Sequence, residues 1–288
     1  MSVGRPSVAV VVATFDRPAF LPECLASVAA RLIEGDELIV AEAGDSAAAA
    51  ALASLPGRAP VGRIVTAVGL EKTRRQNAAV RSTDAELVLF TDDDCRVPPG
   101  WVEGMAAPFG DPTVGIAFGP VAGLTHLPGS EEPVSPPPGE APFVPWTYAH
   151  GASMVIRRTA LLAVGGFDER LGPGAPPGSG EEHDLLLRLR DAGWRAVIAD
   201  APAVEHLAWR SAEESAANAL VYERGSGAFV GAALRRSLRG GWPILKHRLG
   251  YERQLVADRT GPDRRFAWQA VRTFAGGLLY GVRLRPWR

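Results

Sequence analysis

The chain has 288 residues, 47% hydrophobic and 22% charged, with a formal net charge of −1. That balance excludes a disordered or fibrous chain and suits one large domain, or one domain with an appendage. Two cysteines, Cys24 and Cys95, offer no framework of bridges and are expected as free thiols.

The first two-thirds alternate strand-like and helix-like patterns. Residues 8–13 form a β-branched run too short for a secretion signal, ending at Thr14-Phe15-Asp16-Arg17-Pro18. The spacing of Phe20, Leu21, Leu25, Val28 and Leu32 predicts the helix that follows. A second strand, 37–41, ends at Glu42, and an alanine-rich helix follows over 46–55. Residues 63–67 read as a third strand, and Gly69 to Asn77 open a helix before the apolar run 87–91. Four such units predict a mostly parallel sheet covered on both faces. The polar residues after its strands, around Thr14, Glu42 and Asp92 to Asp94, should converge on one edge, where open α/β sheets bind ligands.

Asp92, Asp93 and Asp94 are the most informative of these. Three adjacent carboxylates repel one another and invite a cation, and hard oxygen ligands suit Mg²⁺ or Mn²⁺. A solvated acidic turn explains an isolated triplet equally well.

Beyond Trp101 the pattern loosens. Residues 114–121 read as one strand, and the proline-rich stretch 128–145 as a surface loop. Residues 151–156 suit a returning strand, 159–164 a short helix, and Gly165-Gly-Phe-Asp168 a turn. Residues 172–180 are rich in Gly and Pro and predict a flexible stretch, either a lid or an inert connection. It leads into Glu181-Glu-His-Asp-Leu-Leu-Leu-Arg-Leu-Arg190, whose leucine spacing makes a helix with Glu181 and Glu182 in its first turn. The helix dipole alone favours acids there. Residues 211–238 read as a long helix interrupted by the glycines of 222–228, with further helices after Pro243 and Pro262.

The small net charge conceals an asymmetry. Residues 1–205 hold 16 basic and 26 acidic side chains, and 206–288 hold 15 and 6. The basic tail is interleaved with aromatic residues. A solvated helix face explains it, and among partners anionic lipid ranks above nucleic acid or the chain's own acidic part. No apolar stretch approaches the roughly 20 residues of a membrane-spanning helix.

Taken together, Val-Val-Val-Ala-Thr-Phe-Asp-Arg-Pro18, Gly69 to Asn77, Leu-Phe-Thr-Asp-Asp-Asp94, Gly-Ala-Ser-Met154, Val-Gly-Gly-Phe-Asp168 and Gly-Glu-Glu-His-Asp-Leu-Leu-Leu-Arg-Leu189 resemble family 2 glycosyltransferases. Each piece is weak alone, and the order and spacing give the likeness its strength. The resemblance covers about residues 7–210. It implies an α/β fold of GT-A type: a Rossmann-like, mostly parallel sheet flanked by helices, here with a helical basic extension over 211–288.

The resemblance also implies roles at matching positions. Asp94 would hold a divalent ion, Mn²⁺ or Mg²⁺, at the donor diphosphate, with Asp92 or Asp93 near the ribose. Glu42 stands where the family has an aspartate reading the nucleobase, which leaves the choice among UDP, dTDP and GDP open. Thr14, Phe15 and Asp16 face the nucleotide, and Arg74 or Arg75 supplies a positive charge, although Arg75 suits a helix-surface charge as well. The acid pair becomes Glu181-Glu182, with Glu182 as base and Asp184 as fallback. His206 matches a position near the metal. Trp146 and His150 are candidate acceptor contacts, and Trp146 suits a core position equally.

The implied reaction is inverting, metal-dependent transfer of a sugar from a nucleoside-diphosphate donor to a hydroxyl of an envelope polysaccharide, glycolipid or natural product. The implied location is cytoplasmic, with peripheral membrane contact through the tail; no nucleic-acid partner is expected. A haloacid-dehalogenase-type phosphatase would want Thr or Val where Arg96 stands. A nucleotidyltransferase would want a glycine-rich phosphate loop after the first strand. A non-catalytic sugar-nucleotide binder would share the fold.

Overall fold

A computed structural model describes residues 5–44, 47–55, 62–123, 139–140, 149–207, 211–257 and 260–287. The chain divides into two compact units. Met1–Phe167 with Arg188–Ala208 form one, and Asp168–Leu187 with Trp209–Arg288 form the other. The second unit therefore takes a stretch from the middle of the sequence besides the basic tail.

In the first unit, β1 (Val8–Ala13), α1 (Leu21–Ala29), β2 (Glu37–Glu42), α2 (Ala47–Ala53), β3 (Arg63–Thr66), α3 (Lys72–Arg81) and β4 (Leu87–Asp92) alternate as the sequence pattern predicts. Next come β5 (Cys95–Arg96), α4 (Trp101–Ala106), β6 (Val114–Phe118), β7 (Val121–Ala122), β8 (Gly139–Glu140), β9 (Met154–Arg157) and α5 (Arg158–Ala163). After α6 (Glu181–Asp191) the chain adds β10 (Arg195–Ile198) and β11 (Val204–His206).

Among the described residues the large sheet runs β3-β2-β1-β4-β9-β6-β10-β8. β3, β2, β1 and β4 are parallel neighbours, whereas β9 is antiparallel to both β4 and β6. Every residue of β1 is buried, as an interior strand with both faces covered requires. Register aligns Ala13 with Ala41 and with Asp92, so these strands end level along one edge.

The single strand expected over 114–121 is two. Pro120 has no N–H to continue a ladder, and the chain leaves the large sheet there for a small one. That sheet has the order β5-β11-β7. The Gly165-Gly-Phe turn is held by a buried amide: Asn77 Nδ2 donates to the Phe167 carbonyl (2.9 Å), and the Phe167 N–H donates to Asn77 Oδ1 (2.8 Å).

The second unit is helical, with α7 (Ala212–Arg236), α8 (Leu238–Ala257) and α9 (Gly261–Arg283). Ser211 and Glu214 start α7 with a reciprocal capping box. The break expected at 222–228 does not occur. Its glycines serve close packing instead: a Cβ on Gly227 would lie 2.1 Å from the Phe274 carbonyl oxygen, and one on Gly277 1.9 Å from that of Arg224. Gly231 and Gly281 repeat the arrangement one turn on. Backbone thus meets backbone between α7 and α9, which offsets the roughly 1 kcal/mol per residue that glycine costs inside a helix.

Helix α8 starts at Leu238, ahead of Pro243, because Ser237 Oγ accepts the Gly240 N–H (3.1 Å) as an N-cap. α9 starts beside Pro262 as expected. The Gly/Pro stretch 172–180, expected to be flexible, is tied to α7. Arg224 Nε donates to the Pro177 carbonyl (3.1 Å), and a Cβ on Gly180 would strike the Gly225 carbonyl oxygen at 2.6 Å.

Candidate functional site

The level strand ends of the first unit gather the polar residues singled out above. Thr14 follows β1, its N–H donating to the Ala41 carbonyl (3.0 Å) and its hydroxyl to Asp93 Oδ2 (2.8 Å). Glu42, buried at the end of β2, accepts from the Thr66 hydroxyl (3.3 Å). Asp93 and Asp94 are also buried, which overturns the reading of the triplet as a solvated acidic turn.

The triplet's charge is compensated by side chains. Arg17 Nη1 reaches both Asp93 Oδ1 (3.1 Å) and Asp94 Oδ2 (2.6 Å), and Lys72 pairs with Asp92. Arg17 gets there from a turn in which Asp16 adopts a left-handed φ of +50°. Sequence reasoning missed Arg17 and Lys72 as members of the site. The repulsion argument called for a cation without saying that the chain would supply its own.

Asp92 and Asp93 differ electrostatically. Burial alone would raise Asp92, but Lys72, with His206 and Arg17, holds it below its ordinary range. Burial pushes Asp93 up to about 6, aided by Asp94 and Asp92 and opposed by Arg17 and Thr14.

The small sheet brings a distant residue to Asp94. β11 pairs antiparallel with β5 in a register that sets His206 opposite Cys95, and the Leu207 N–H donates to the Asp94 carbonyl (2.9 Å). His206 Nε2 consequently lies 3.4 Å from Asp94 Oδ1. Gly123, with φ +82°, allows the chain after β7 to pass the His206 carbonyl oxygen, which a Cβ would meet at 2.4 Å.

Asp94, Cys95 and His206 each offer a donor atom, all within 4.8 Å of one another. Burial, then Asp92 and Asp94, push the Cys95 thiol well above its ordinary pKa, so it stays protonated and is a poor ligand. The remaining carboxylate oxygen and imidazole nitrogen fit Mn²⁺, and the oxygen fits Mg²⁺.

Around this group, Phe15 is exposed and the Arg75 guanidinium lies 5.7 Å from its ring centroid. Arg75 is only 4% exposed and donates to the Leu70 carbonyl (3.2 Å), so it is no surface charge. Arg74 donates to the Val68 carbonyl (3.4 Å) and lies 3.5 Å from Glu71. Both arginines brace the loop entering α3. His150 precedes the short turn Gly151–Ser153, its carbonyl accepting the Ser153 N–H (3.3 Å). Trp146 lies outside the described residues.

In the second unit, Glu181, Glu182 and Asp184 form the first turn of α6. Glu181 is buried and its carboxyl packs against Gly172. Asp184 is buried and paired with Arg236 at the end of α7 (3.0 Å). Glu182 is the half-buried member of the three.

Residues 9–135 match the sequence model of the family described as Glycosyl transferase family 2. That match lies within the first unit. The pre-mycofactocin glycosyltransferase of Mycobacterium tuberculosis is 32% identical over 133 residues, 42% of this chain and 26% of that protein. An N-acetylglucosaminyltransferase of Rhizobium leguminosarum bv. viciae is 29% identical over 206 residues, 66% of this chain and 48% of its own length. The chain thus spans from about a quarter to about half of these two relatives. A mannosyltransferase from Pyrobaculum calidifontis, solved in complex with GDP-Man and Mn²⁺, superposes with a TM-score of 0.62 at 14% identity over 98% of this chain and 88% of that one. The first unit therefore has the GT-A fold.

Proposed function

We propose that the protein is a metal-dependent, inverting glycosyltransferase that moves a sugar from a nucleoside-diphosphate donor to an acceptor hydroxyl. The observation that supports this most is the pairing of Asp94 with His206 at the strand ends, an oxygen and a nitrogen brought together by sheet register. In this reading Asp94 and His206 hold Mn²⁺ or Mg²⁺, which when bound neutralises the departing diphosphate as a Lewis acid. The domain's likeness to a protein solved with GDP-Man and Mn²⁺ supports the same donor chemistry.

The chain's own groups do the rest. Thr14 and Asp92 or Asp93 contact the ribose side, Glu42 the base, and Phe15 offers a ring beside the nucleotide, with Asp16 at the turn. Arg74 and Arg75 keep the adjoining loop in place and positive. Glu182 takes the proton of the acceptor hydroxyl as its oxygen bonds to the anomeric carbon and the bond to the diphosphate oxygen breaks. One displacement inverts the configuration. Glu182, half-buried where Asp184 is buried, is the base in this reading, with Asp184 as the fallback. Trp146 and His150 stand as acceptor contacts.

The acceptor belongs to an envelope polysaccharide, glycolipid or natural product, and the location is cytoplasmic with peripheral contact at the inner membrane face. No described helix is long and apolar enough to cross a membrane. Titration of UDP, dTDP and GDP by calorimetry, with and without Mn²⁺, on the wild type and Asp94→Ala tests the donor side. Tight binding of one nucleotide that requires both metal and Asp94 is expected. Binding without transfer or slow donor hydrolysis would leave a non-catalytic binder, and release of pyrophosphate a nucleotidyltransferase.

A further inference from the structure

Large hydrophobic side chains exposed to solvent are concentrated in the helical unit. Of the thirteen such residues among those described, eight lie between 211 and 287. Helix α8 alone holds Leu238 (77% exposed), Trp242 (60%), Leu249 and Tyr251.

The sides of α8 are sharply different. Gly241, Ile244, Arg248 and Glu252, spaced three or four apart, are buried. Arg248 there lies over the rings of Tyr251 and Phe274, 4.4 and 5.3 Å from their centroids, and pairs with Glu223 and Glu252. Trp242, Lys246, Leu249 and Arg253, at the same spacing a third of a turn away, are exposed. Arg239 is exposed between this stripe and a shallow hollow of about 650 Å³ lined by Pro243, Lys246, His247, Gly250, Tyr251 and Gln254. The one acidic residue of α8, Glu252, is on the buried side, so the outer side presents Arg239, Lys246 and Arg253 with no carboxylate among them.

We propose that the outer side of α8 is a docking surface for an anionic membrane. An interfacial helix needs apolar side chains to enter the acyl boundary and basic ones for the headgroups, and α8 has both on one side. The leucines separate lipid from nucleic acid, because bases stack on Trp and Tyr rings but gain little from Leu238 or Leu249. Trp242 suits the headgroup level, where amphipathic rings settle. The hollow, with Lys246 and His247 on its wall, has the chemistry to receive a lipid phosphate. This surface gives residues to the membrane contact in the functional reading and needs neither the donor nor the base assignment.

The test is sedimentation of the full chain, without nucleotide, with vesicles of phosphatidylcholine alone or mixed with phosphatidylglycerol. Binding to the mixed vesicles only, weakened by salt, is expected. Lys246→Glu and Arg253→Glu should each weaken it about fivefold or more, as expected for the loss of one basic contact with an anionic surface. Trp242→Ala with Leu249→Ala should weaken binding while leaving its salt dependence in place. All four positions are exposed, and circular dichroism verifies that the variants fold. Equal binding to both vesicles, binding to neither, or binding of a single-stranded oligonucleotide that displaces the vesicles would overturn the proposal.

Discussion

The strand-end site and the helical unit solve opposite packing problems. At the strand ends, charges are crowded into the interior and each meets a partner of opposite sign: Lys72 for Asp92, Arg17 for Asp93 and Asp94. Between α7 and α9, side chains are deleted at Gly227, Gly231, Gly277 and Gly281 so that two backbones can touch. The first arrangement can exchange partners when a ligand arrives, because its charges are held by flexible side chains. The second cannot move without losing contact along whole helices. The difference suits a responsive strand-end site and a rigid helical unit.

The largest effect should come from the acid at the start of α6. Glu182→Gln should lower transfer by about 10²–10⁴-fold, the usual contribution of a positioned base, while nucleotide affinity stays near the wild-type value. Steady-state kinetics beside calorimetry makes that separation, and near-normal turnover would remove Glu182 as base.

Next comes the glycine contact. Gly277→Leu places atoms where the Arg224 carbonyl stands, so it should destabilise the helical unit by about 3 kcal/mol, the upper end of ordinary overpacking. Thermal unfolding with limited proteolysis reads it. Unchanged stability would mean that the two helices separate easily.

Asp93 supplies a comparable but pH-dependent effect. Burial pushes its carboxyl up to about 6 in the folded, metal-free chain, above the ordinary 3.8, so between these the folded state holds the extra proton. Stability should therefore fall as pH rises through that window, by at most about 3 kcal/mol. Asp93→Asn should flatten the slope in urea unfolding with chelator present, and a slope unchanged in the variant would assign it to another group.

The smallest effect tests the start of the helical unit. Ser211→Ala removes the hydroxyl that accepts the Glu214 N–H and should cost about 1 kcal/mol. Urea unfolding measures it, and a change within error would show that Glu214 alone caps α7.

The alternating β1–β4 frame, the acids at the end of β4 and the acidic start of α6 were legible in the sequence because they follow from local pattern: buried-strand runs, helical leucine spacing and Pro262 at the start of α9. Misreadings occurred where a residue's use depends on what lies beside it. The glycines of 222–228 read as a break because helix propensity counts only their cost, while the backbone that each admits, near Ser179 for Gly225 and in α9 for Gly227, lies some fifty residues away. Gly172 to Gly180 read as flexible because the bond from Arg224 to the Pro177 carbonyl and the approach of Gly180 to the Gly225 carbonyl leave no mark in composition.

By itself the sequence determined the fold class, the strand carrying the acidic triplet and the uneven spread of charge, since periodicity and charge are properties of the string. Only the tertiary structure decided that His206 lies against Asp94, that Arg17 and Lys72 pair with the triplet, and that the bases of α8 emerge without their acid. Those facts rest on a register that sets His206 opposite Cys95 and on which helix face is covered, and both are set by contacts between segments that the sequence keeps distant.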